Sequence, residues 1–356
     1  MKKKSLSVKR KIHRFLLDNL KTSKVKKIYN IFKKNIHNLP EKNSFAVAVS
    51  GGPDSLALSY LAKCYSLEKK NKIFFYHVDH RLRSNSKNES LLLKKKMMNF
   101  DINVKILTWK GKKPKSNIQS LARLNRYSLL DKQCKKDKLS NLLLAHQKED
   151  LYENFFLRIL RGSGLEGFVS FNSVKSNSIL NLNLLRPLIN ISKGELIYIS
   201  KKIFNFYIKD PSNNDDLFKR IRVRNLISNF KKEGLDLDKL KLTINNLTES
   251  NKTINYFVEK NIKNNTKFIR KNSALILNKN FFKQPDEIIF RSISKLLKKV
   301  GQKYYPPRGK STLHLMRQMS EKNFKKTTLS GCMIEKYNNS VIICKESTKK
   351  HNFVTK

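Results

Sequence analysis

The chain has 356 residues and a formal net charge of +49, from 76 Lys and Arg against 27 Asp and Glu. This length exceeds the size at which a single core stops growing, so we expect two or more domains. A hydrophobic fraction of 39% argues against full disorder, and no apolar run is long enough to span a bilayer. The positive charge predicts a polyanionic partner, most simply nucleic acid. Because Lys is abundant throughout, we interpret most single lysines as solvated surface residues.

The cysteines point to a reducing compartment. They lie far apart and form no C-x-x-C pair, at Cys64, Cys134, Cys332 and Cys344. This spacing argues against a disulfide scaffold, a zinc ribbon and a cysteine-held cluster. No segment has the apolar run of a signal peptide. We therefore predict a cytoplasmic protein that does not associate with a membrane.

In chain order, residues 1–24 are basic and are predicted to form an N-terminal extension. Helical spacing begins at 25–37, and short apolar runs then alternate with amphipathic stretches. Strands are predicted at 45–49, 73–76, 104–107 and 142–145, and helices near 54–69, 86–99 and 117–136. This alternation predicts an α/β fold with a parallel sheet covered on both faces. Ligands of such sheets bind beyond the carboxyl ends of the strands.

Further helical patterns at 149–161 and over roughly 193–232 complete a predicted catalytic domain of residues 25–232. The pattern changes beyond residue 235, where Lys- and Asn-rich helical stretches run to about 300. A β-like piece at 331–343 contains the turn signal Asn338-Asn339. We interpret residues 235–350 as a second, smaller domain with helices and a small sheet, which would bind RNA.

Directly after the first predicted strand, the chain reads Ser50-Gly51-Gly52-Pro53-Asp54-Ser55 and enters a helix. Two glycines allow close approach of the backbone to an anion, and the helix start supplies unpaired N–H groups. Pro53 suits the first turn because its missing N–H would be unpaired there. The simpler interpretation is a capped strand–turn–helix junction. The segment is neither a Walker A loop nor a G-x-G-x-x-G fingerprint.

Two other predicted strands end in polar residues. The second strand runs into His77, Asp79 and His80. The two histidines could suggest a metal site, but no third ligand is evident, so the sequence does not predict one. The fourth strand is followed by His146, and then by Asp150 and Glu153. Asp150 and Glu153 share one face of a predicted helix. They could hold Mg²⁺ or an ammonium group, or could simply favour the helix start.

These motifs resemble those of the tRNA(Ile)-lysidine synthase family within the ATP pyrophosphatase, or PP-loop, superfamily. The 50–55 segment is similar to the SGGxDS loop that holds the pyrophosphate of ATP in that superfamily. Further matches lie at Val78–Arg83, at Gln119, Ala122, Arg123, Arg126 and Tyr127, at Arg161–Phe168, at Arg186–Leu188, and at Asp210, Ser212, Asn213, Asp215, Arg220, Arg222 and Arg224. Within the family's AHHxDDQxET segment, this chain keeps His146, Asp150 and Glu153. It departs from that segment at Gln147, Glu149, Leu151 and Asn154.

The resemblance implies a two-step reaction on the CAU anticodon of an isoleucine tRNA. ATP adenylates the C2 oxygen of cytidine 34, and the ε-amine of free L-lysine then displaces AMP to give lysidine. It implies a nucleotide site formed by Ser50, Gly51, Gly52, Pro53, Asp54, Ser55, His77, Asp79, His80 and Arg123. Lysine and tRNA would be held by Asp150, Glu153, Arg161, Arg220, Arg222 and Arg224, and Mg²⁺ by Asp54.

Several points stay open at this stage. The proton acceptor for the lysine amine could be a carboxylate or His146. If they lie on a helix, Arg220, Arg222 and Arg224 would spread around it instead of lining one surface. A homodimer is possible. The alternative functions are another PP-loop tRNA-modifying enzyme, such as a thiolase, and a nonenzymatic basic RNA-binding protein.

Overall fold

In a computed structural model, the predicted strand–helix alternation forms a six-stranded sheet with the order β3-β2-β1-β4-β6-β5. The strands are β1 Phe45–Ala48, β2 Ile73–Asp79, β3 Val104–Thr108, β4 Asn141–Leu143, β5 Lys175–Asn177 and β6 Leu182–Leu185. Neighbouring strands are parallel except β5, which lies antiparallel at the edge. The α/β fold class and the four predicted strands are confirmed.

The structure describes residues 6–36, 44–82, 84–111, 118–171, 175–177, 182–208, 219–270, 274–303, 305–321 and 323–346. The chain divides into two compact units, residues 1–244 and 245–356. This division falls about ten residues beyond the boundary predicted from composition, within a single helix that spans Leu237–Asn265.

Helices cover the sheet of the first unit. They are α1 Leu6–Leu20, α2 Ser23–Ile36, α3 Pro53–Lys69, α4 Ser86–Met98, α5 Ile118–Lys136, α6 Lys148–Ile159, α7 Leu165–Val169, α8 Lys193–Phe204 and α9 Lys219–Lys232. α3 is buried over most of its circumference, from Ser55 to Tyr65, and contacts α8 as well as β1 and β2. A helix that is buried on several faces must be mostly apolar, which explains the run Leu56-Ala57-Leu58.

The N-terminal segment belongs to the first unit. Leu16 of α1 is fully buried, and its carbonyl accepts a hydrogen bond from the Tyr60 hydroxyl at 3.0 Å. His13 Nε2 lies 2.8 Å from Asp101 Oδ2. The description of residues 1–24 as an extension was therefore wrong for residues 6–24, because one side of α1 supplies apolar residues to the core and its basic residues face solvent.

The predicted helix over 193–232 is two helices. α8 ends at Phe204, where Asn205 adopts a left-handed conformation with φ 46° and caps the helix. α9 begins at Lys219. Residues 209–218 lie outside the described part of the chain, so the family matches at Asp210, Ser212, Asn213 and Asp215 have no structural description.

The second unit contains the antiparallel sheet β7-β8-β11-β10-β9 and two packed helices. Its elements are α10 Leu237–Asn265, which begins in the first unit, β7 Thr266–Arg270, β8 Ala274–Leu277, the 3₁₀ helix Lys279–Lys283, α11 Asp286–Val300, α12 Gly309–Ser320, β9 Lys326–Leu329, β10 Cys332–Tyr337 and β11 Ser340–Lys345. β10 and β11 form the predicted hairpin, with Asn338 at φ 52° in its turn. The helical and small-sheet C-terminal region is thus confirmed.

All four cysteines are buried, and none of them forms a disulfide bond. Cys64 and Cys134 lie in the first unit, and Cys332 and Cys344 lie in the second. Burial raises the pKa of Cys64, Cys134 and Cys332 to about 12. These thiols are therefore protonated at neutral pH and pack as small apolar side chains.

Candidate active site

The loop of residues 50–55 connects β1 to α3 and is organised by one hydroxyl group. Ser55 Oγ accepts hydrogen bonds from the backbone N–H of Ser50 at 3.1 Å and of Gly51 at 3.0 Å, and donates to the Gly52 carbonyl at 2.9 Å. Ser50 Oγ lies 3.1 Å from the same oxygen. Ser55 is buried. The Ser55 side chain, which the family resemblance predicts to be part of the nucleotide site, therefore stabilises the conformation of the loop.

The two glycines of the loop serve different needs. Gly51 has φ +92°, and a Cβ there would lie 2.8 Å from Cδ1 of Ile208, so both the conformation and the space require glycine. The Ile208 N–H donates to the Gly51 carbonyl at 2.9 Å. Gly52 is the N-cap of α3 and offers no side-chain cap, and Pro53 follows in the first turn. This helix start is suited to an anion.

Asp54 lies at the start of α3 among other charged groups. Its Oδ1 is buried and has no hydrogen-bond partner among the described residues. Burial, together with the negative charges of Asp150 and Glu149, raises the pKa of Asp54 to about 7, although the positive charges of Lys193 and Arg224 oppose the shift. A carboxylate with a buried, unpaired oxygen is suited to bind a cation or accept a proton.

Residues at the start of α6 explain two of the departures from the family pattern. Gln147 is the N-cap, and its Oε1 accepts from the Glu149 N–H at 2.6 Å, while Asp150 Oδ2 accepts from the Gln147 N–H at 3.1 Å. Glu149 Oε2 accepts from the Lys193 N–H at 3.0 Å, which ties α6 to the start of α8. Asp150 is thus oriented by a reciprocal capping box.

Glu153 is not available to bind an ammonium group in this structure. It is buried and forms a two-point ion pair with Arg224 of α9, Nε to Oε1 at 2.5 Å and Nη2 to Oε2 at 3.4 Å. Burial raises the pKa of Glu153, and the hydrogen bond from Arg224 opposes that rise. The pair joins α6 to α9, and this engagement argues against the predicted roles of Glu153 in lysine binding and of Arg224 in tRNA binding.

The other predicted RNA-binding arginines are arranged differently around α9. Arg220 lies one turn before Arg224 on the same face of the helix and opposes the rise in the pKa of Glu153, whereas Arg222 lies on the opposite face. Arg220 and Arg222 are exposed. Arg161 is exposed in the turn after α6, next to Gly162 at φ +61°.

His146 is surrounded by positive charge. Its Nδ1 accepts a hydrogen bond from Arg186 Nε at 3.2 Å, and its ring meets Phe171 edge-on at 4.9 Å between centroids. Burial lowers the pKa of His146 well below its usual value, and the guanidinium groups of Arg186 and Arg123 lower it further. A neutral imidazole that already accepts a hydrogen bond at Nδ1 is a poor general base.

The sequence predicts no role for two of the arginines near His146. Arg126 and Arg186 match family motifs only, yet both lower the pKa of His146 together with Arg123 and Arg220. Burial lowers the pKa of Arg126 and of Arg186. The family motifs that contain Arg126 and Arg186 are the sequence signal that could have identified them. Several guanidinium groups around one imidazole favour a bound anion.

His77 is engaged within the protein by both ring nitrogens. Nδ1 donates to the Val49 carbonyl at 2.8 Å, and Nε2 lies 2.9 Å from the Ser90 hydroxyl. Burial lowers the pKa of His77, so the ring is neutral. The predicted contact between this side chain and a nucleotide is corrected, since His77 instead fixes the end of β1, just before the 50–55 loop, against β2 and α4.

The ends of β2 and β3 form a cavity of about 480 Å³, lined by His80, Arg81, Thr108, Trp109, Lys110 and Gly111. Asp79 is buried and accepts at Oδ1 from the Arg81 N–H at 3.0 Å, which shapes the rim. Burial and the positive charge of Arg126 together lower the pKa of His80 to about 4, and its Nδ1 has no partner among the described residues. Trp109, the chain's one tryptophan, gives the cavity an aromatic wall.

Across the described ranges, no group of three or more His, Cys, Asp or Glu is arranged to hold a metal ion. Mg²⁺ needs no such group, because it commonly takes one or two carboxylates together with phosphate oxygens. The unpaired Oδ1 of Asp54 fits that requirement. Within the same ranges, no helix has both the length and the apolar character to cross a bilayer.

Comparisons with known proteins agree with this geometry. The family model described as a PP-loop domain matches residues 20–230. A tRNA(Ile)-lysidine synthase from Orientia tsutsugamushi is 33% identical over 332 residues, covering 89% of this chain and 74% of that protein. A second, from a Wolbachia endosymbiont of Brugia malayi, is 32% identical, covering 86% and 72%. Among solved structures, the U34-tRNA thiolase NcsA from Methanococcus maripaludis has a TM-score of 0.52 at 20% identity, covering 60% of this chain and 75% of that one, which supports the fold.

Proposed function

Because this chain belongs to the tRNA(Ile)-lysidine synthase family of PP-loop, ATP-dependent tRNA-modifying enzymes, we propose that it ligates free L-lysine to C2 of cytidine 34 in the CAU anticodon of tRNA(Ile). ATP is consumed, AMP and diphosphate are released, and the lysidine formed changes decoding from AUG to AUA. The observation that carries this proposal is the buried, unpaired Oδ1 of Asp54 at the uncapped start of α3, within the 50–55 loop.

In the first step, the C2 oxygen of cytidine 34 attacks the α-phosphorus of ATP, and diphosphate leaves. The uncapped start of α3 offers N–H groups to the departing diphosphate. Arg123, with Arg126 and Arg186, would offset negative charge that develops on the α-phosphate. The cavity with Trp109 and His80, beside the neighbouring strand ends, is suited to the adenine base. Asp54 would hold Mg²⁺, which when bound offsets phosphate charge.

In the second step, the ε-amine of lysine attacks C2 of the adenylated base, the C2–O bond breaks, and AMP leaves. Asp150 is oriented by the α6 capping box and would bind the ammonium form of lysine. The amine must lose a proton before it attacks. His146 is unsuited to accept that proton because its Nδ1 is occupied and its pKa is low. We therefore assign proton transfer to the carboxylates.

The remaining expectations follow from the same proposal. The tRNA substrate accounts for part of the positive charge, and a tRNA-modifying reaction would take place in the cytoplasm. A homodimer stays a prediction. A thiolase reaction has no specific support, because the four cysteines are buried in the two cores and none belongs to the site residues.

One experiment distinguishes the three functions. Purified protein is incubated with ATP, labelled L-lysine and tRNA(Ile) carrying a CAU anticodon, and the tRNA is digested to nucleosides. We expect label on cytidine 34, one AMP for each lysine transferred, and no product without ATP. Folded protein that binds the tRNA but releases no diphosphate would instead support the nonenzymatic RNA-binding alternative. A product containing sulfur instead of lysine would support the thiolase.

Asp150→Asn tests the lysine site. Asparagine keeps an oxygen that can accept from the Gln147 N–H, so the capping box and the fold should persist, but the negative charge is lost. We expect the KM for lysine to rise about 100-fold, the loss of about 3 kcal/mol that a charged hydrogen bond represents, with tRNA affinity unchanged. Glu249→Gln, which removes an exposed carboxylate in α10, is the matched control. Equal losses in lysine use and tRNA binding would refute this assignment.

A further inference from the structure

One exposed surface of the first unit combines apolar side chains with an unusually basic helix. α9 has the sequence KRIRVRNLISNFKK and contains no acidic residue. Two of its apolar side chains face solvent, Leu226 at 43% and Phe230 at 44% exposure. At the end of α6, Ile159 and Leu160 are 46% and 52% exposed. Large apolar groups at this exposure on a helix surface are costly unless they meet a partner.

The two sets of side chains form one continuous surface. Phe156 of α6 stacks on Phe230 of α9, with ring centroids 5.5 Å apart and planes inclined by 23°. Ile159 and Leu160 lie one turn beyond Phe156 on α6, and Leu226 lies one turn before Phe230 on α9. We call these five residues, Phe156, Ile159, Leu160, Leu226 and Phe230, the α6–α9 surface. Basic residues border it, at Arg161, Lys231 and Lys232.

This surface is joined to the candidate active site through the same two helices. Glu153, one turn before Phe156, is paired with Arg224, which lies about two turns before Phe230. Arg224 also contributes positive charge at Asp54. A ligand lying on the α6–α9 surface would therefore extend toward the carboxylates of the site along α6.

From this arrangement, we propose that the α6–α9 surface binds unpaired nucleotides of an RNA loop, with the ring of Phe230 stacking on a base and the surrounding cations contacting phosphates. The proposal rests on the proposed function, since it takes the RNA to be the tRNA substrate. Aromatic rings among cations are characteristic of single-stranded nucleic-acid sites, because every base has a face that can stack. A base-paired helix hides those faces, so the surface should distinguish a loop from a duplex.

The charge on the surface selects this partner over an apolar protein segment. Arg161 and the α9 cations Lys219, Arg220, Lys231 and Lys232 are exposed, and α9 itself contains no acidic residue. A protein partner would have to be strongly acidic around an apolar centre. RNA supplies negative charge at each nucleotide together with a stacking face.

The test uses the full-length protein and two RNA probes, an anticodon stem-loop of the tRNA and a blunt duplex made from its stem. Dissociation constants are measured by fluorescence anisotropy at one fixed salt concentration. We expect Phe230→Ala to weaken binding of the stem-loop about 10-fold, the effect of losing one stacked base, and to leave binding of the duplex within about 2-fold. Phe230→Tyr keeps a ring and should bind the stem-loop like the unaltered chain.

Two further variants protect the test from a folding defect. Phe230→Leu keeps an apolar contact with Phe156 and should weaken stem-loop binding as Phe230→Ala does. Leu91→Ala removes an apolar side chain of similar exposure on α4 and should change neither probe. The proposal is overturned if Phe230→Leu binds the stem-loop normally, or if both probes weaken equally. Lysine transfer is not measured in this test, so dependence on Phe230 would stand even if the proposed ligation failed.

Discussion

At the scale of single residues, Asp54 shows how a site can oppose stability. Its carboxyl group lies at the start of α3 with one buried, unpaired oxygen, and the neighbouring Asp150 adds like charge. Folding must therefore hold an ionised group in unfavourable surroundings at neutral pH, which costs free energy. Such a cost is expected where a cationic ligand normally lies.

We expect Asp54→Asn to be inactive yet more stable. The folded-state pKa is about 7 against an ordinary 3.8, so the folded protein retains a proton that the unfolded chain has lost between these pH values. The stability of the unaltered chain therefore falls as pH rises from about 4 to 7. Asn cannot ionise, so its Tm should exceed that of the unaltered chain at pH 8, and the gain should vanish near pH 4. Calorimetry at both pH values measures this, with Glu249→Gln as the control that should show no gain.

Trp109 provides a second test at this scale. If the base of ATP lies in the cavity at the ends of β2 and β3, Trp109→Ala should raise the KM for ATP about 10-fold, because a stacked base contributes about 1–3 kcal/mol. Trp109→Phe keeps an aromatic face and should lose less. Initial rates at varied ATP, with saturating tRNA and lysine, give the values. An unchanged KM for ATP in Trp109→Ala would show that the base of ATP does not bind in this cavity.

At the scale of elements, α6 and α9 are held together by the pair Glu153–Arg224 and by the stacked rings of Phe156 and Phe230. The first contact is charged and buried on the Glu153 side, whereas the second is apolar and exposed at Phe230. Because Glu153 comes one turn after Asp150, movement of α9 would also displace Asp150, the residue that we propose to bind lysine.

Arg224→Met should destabilise the first unit by about 2–3 kcal/mol at pH 8, because it leaves Glu153 buried and unpaired. Glu153 would then be harder to ionise, so the destabilisation should shrink at pH 5, where the group is more readily protonated. The double variant Glu153→Gln/Arg224→Met should recover part of the loss. Urea unfolding at each pH measures these differences. Arg220→Met, at an exposed position of the same helix, should stay within about 0.5 kcal/mol of the unaltered chain.

The sequence predicted the elements whose signal is local. Continuous apolar runs identified β1 to β4, and the Asn338-Asn339 turn identified the last hairpin. It missed β6, because Leu182–Leu185 contains Asn183 and has no uninterrupted apolar run, and it missed the short edge strand β5. It also joined α8 to α9, since the break after Phe204 depends on one left-handed residue, Asn205.

The candidate site was predictable where motifs are contiguous and unpredictable where partners come from distant parts of the chain. The 50–55 loop and the start of α6 lie where the pattern of strand ends predicted them. The pairing of Glu153 with Arg224 joins positions 71 residues apart, and no spacing rule reveals it. No spacing rule reveals the hydrogen bond from Arg186 to His146 either, because these residues are 40 positions apart.

At the scale of the whole molecule, the net charge of +49 is large, but its parts differ in what they indicate about RNA binding. α9 has no acidic residue, whereas exposed pairs such as Lys252 with Glu249 in α10 offset some charge locally and contribute little to stability. We expect only the positive charges that contact phosphates of the tRNA to contribute to its binding.

Binding of tRNA should therefore weaken steeply with salt. If about five phosphates are neutralised, the logarithm of the association constant should fall with the logarithm of salt concentration at a slope of about −3.5 to −4.5. Filter binding between 50 and 300 mM KCl, roughly the range over which counterion release is resolved, gives the slope. Arg161→Gln should make it shallower by about one. A flat response would show that the positive surface does not contact the RNA backbone.

The buried cysteines have a consequence for how the molecule can be observed. Each unit contains two thiols that are shielded from solvent, Cys64 and Cys134 in the first and Cys332 and Cys344 in the second. A thiol reagent can modify such groups only when the surrounding structure opens, so the labelling rate of each pair records the opening of its own unit. The two pairs of thiols therefore act as separate probes. Mass spectrometry of labelled peptides would measure the opening rate of the nucleotide-binding core separately from that of the C-terminal sheet.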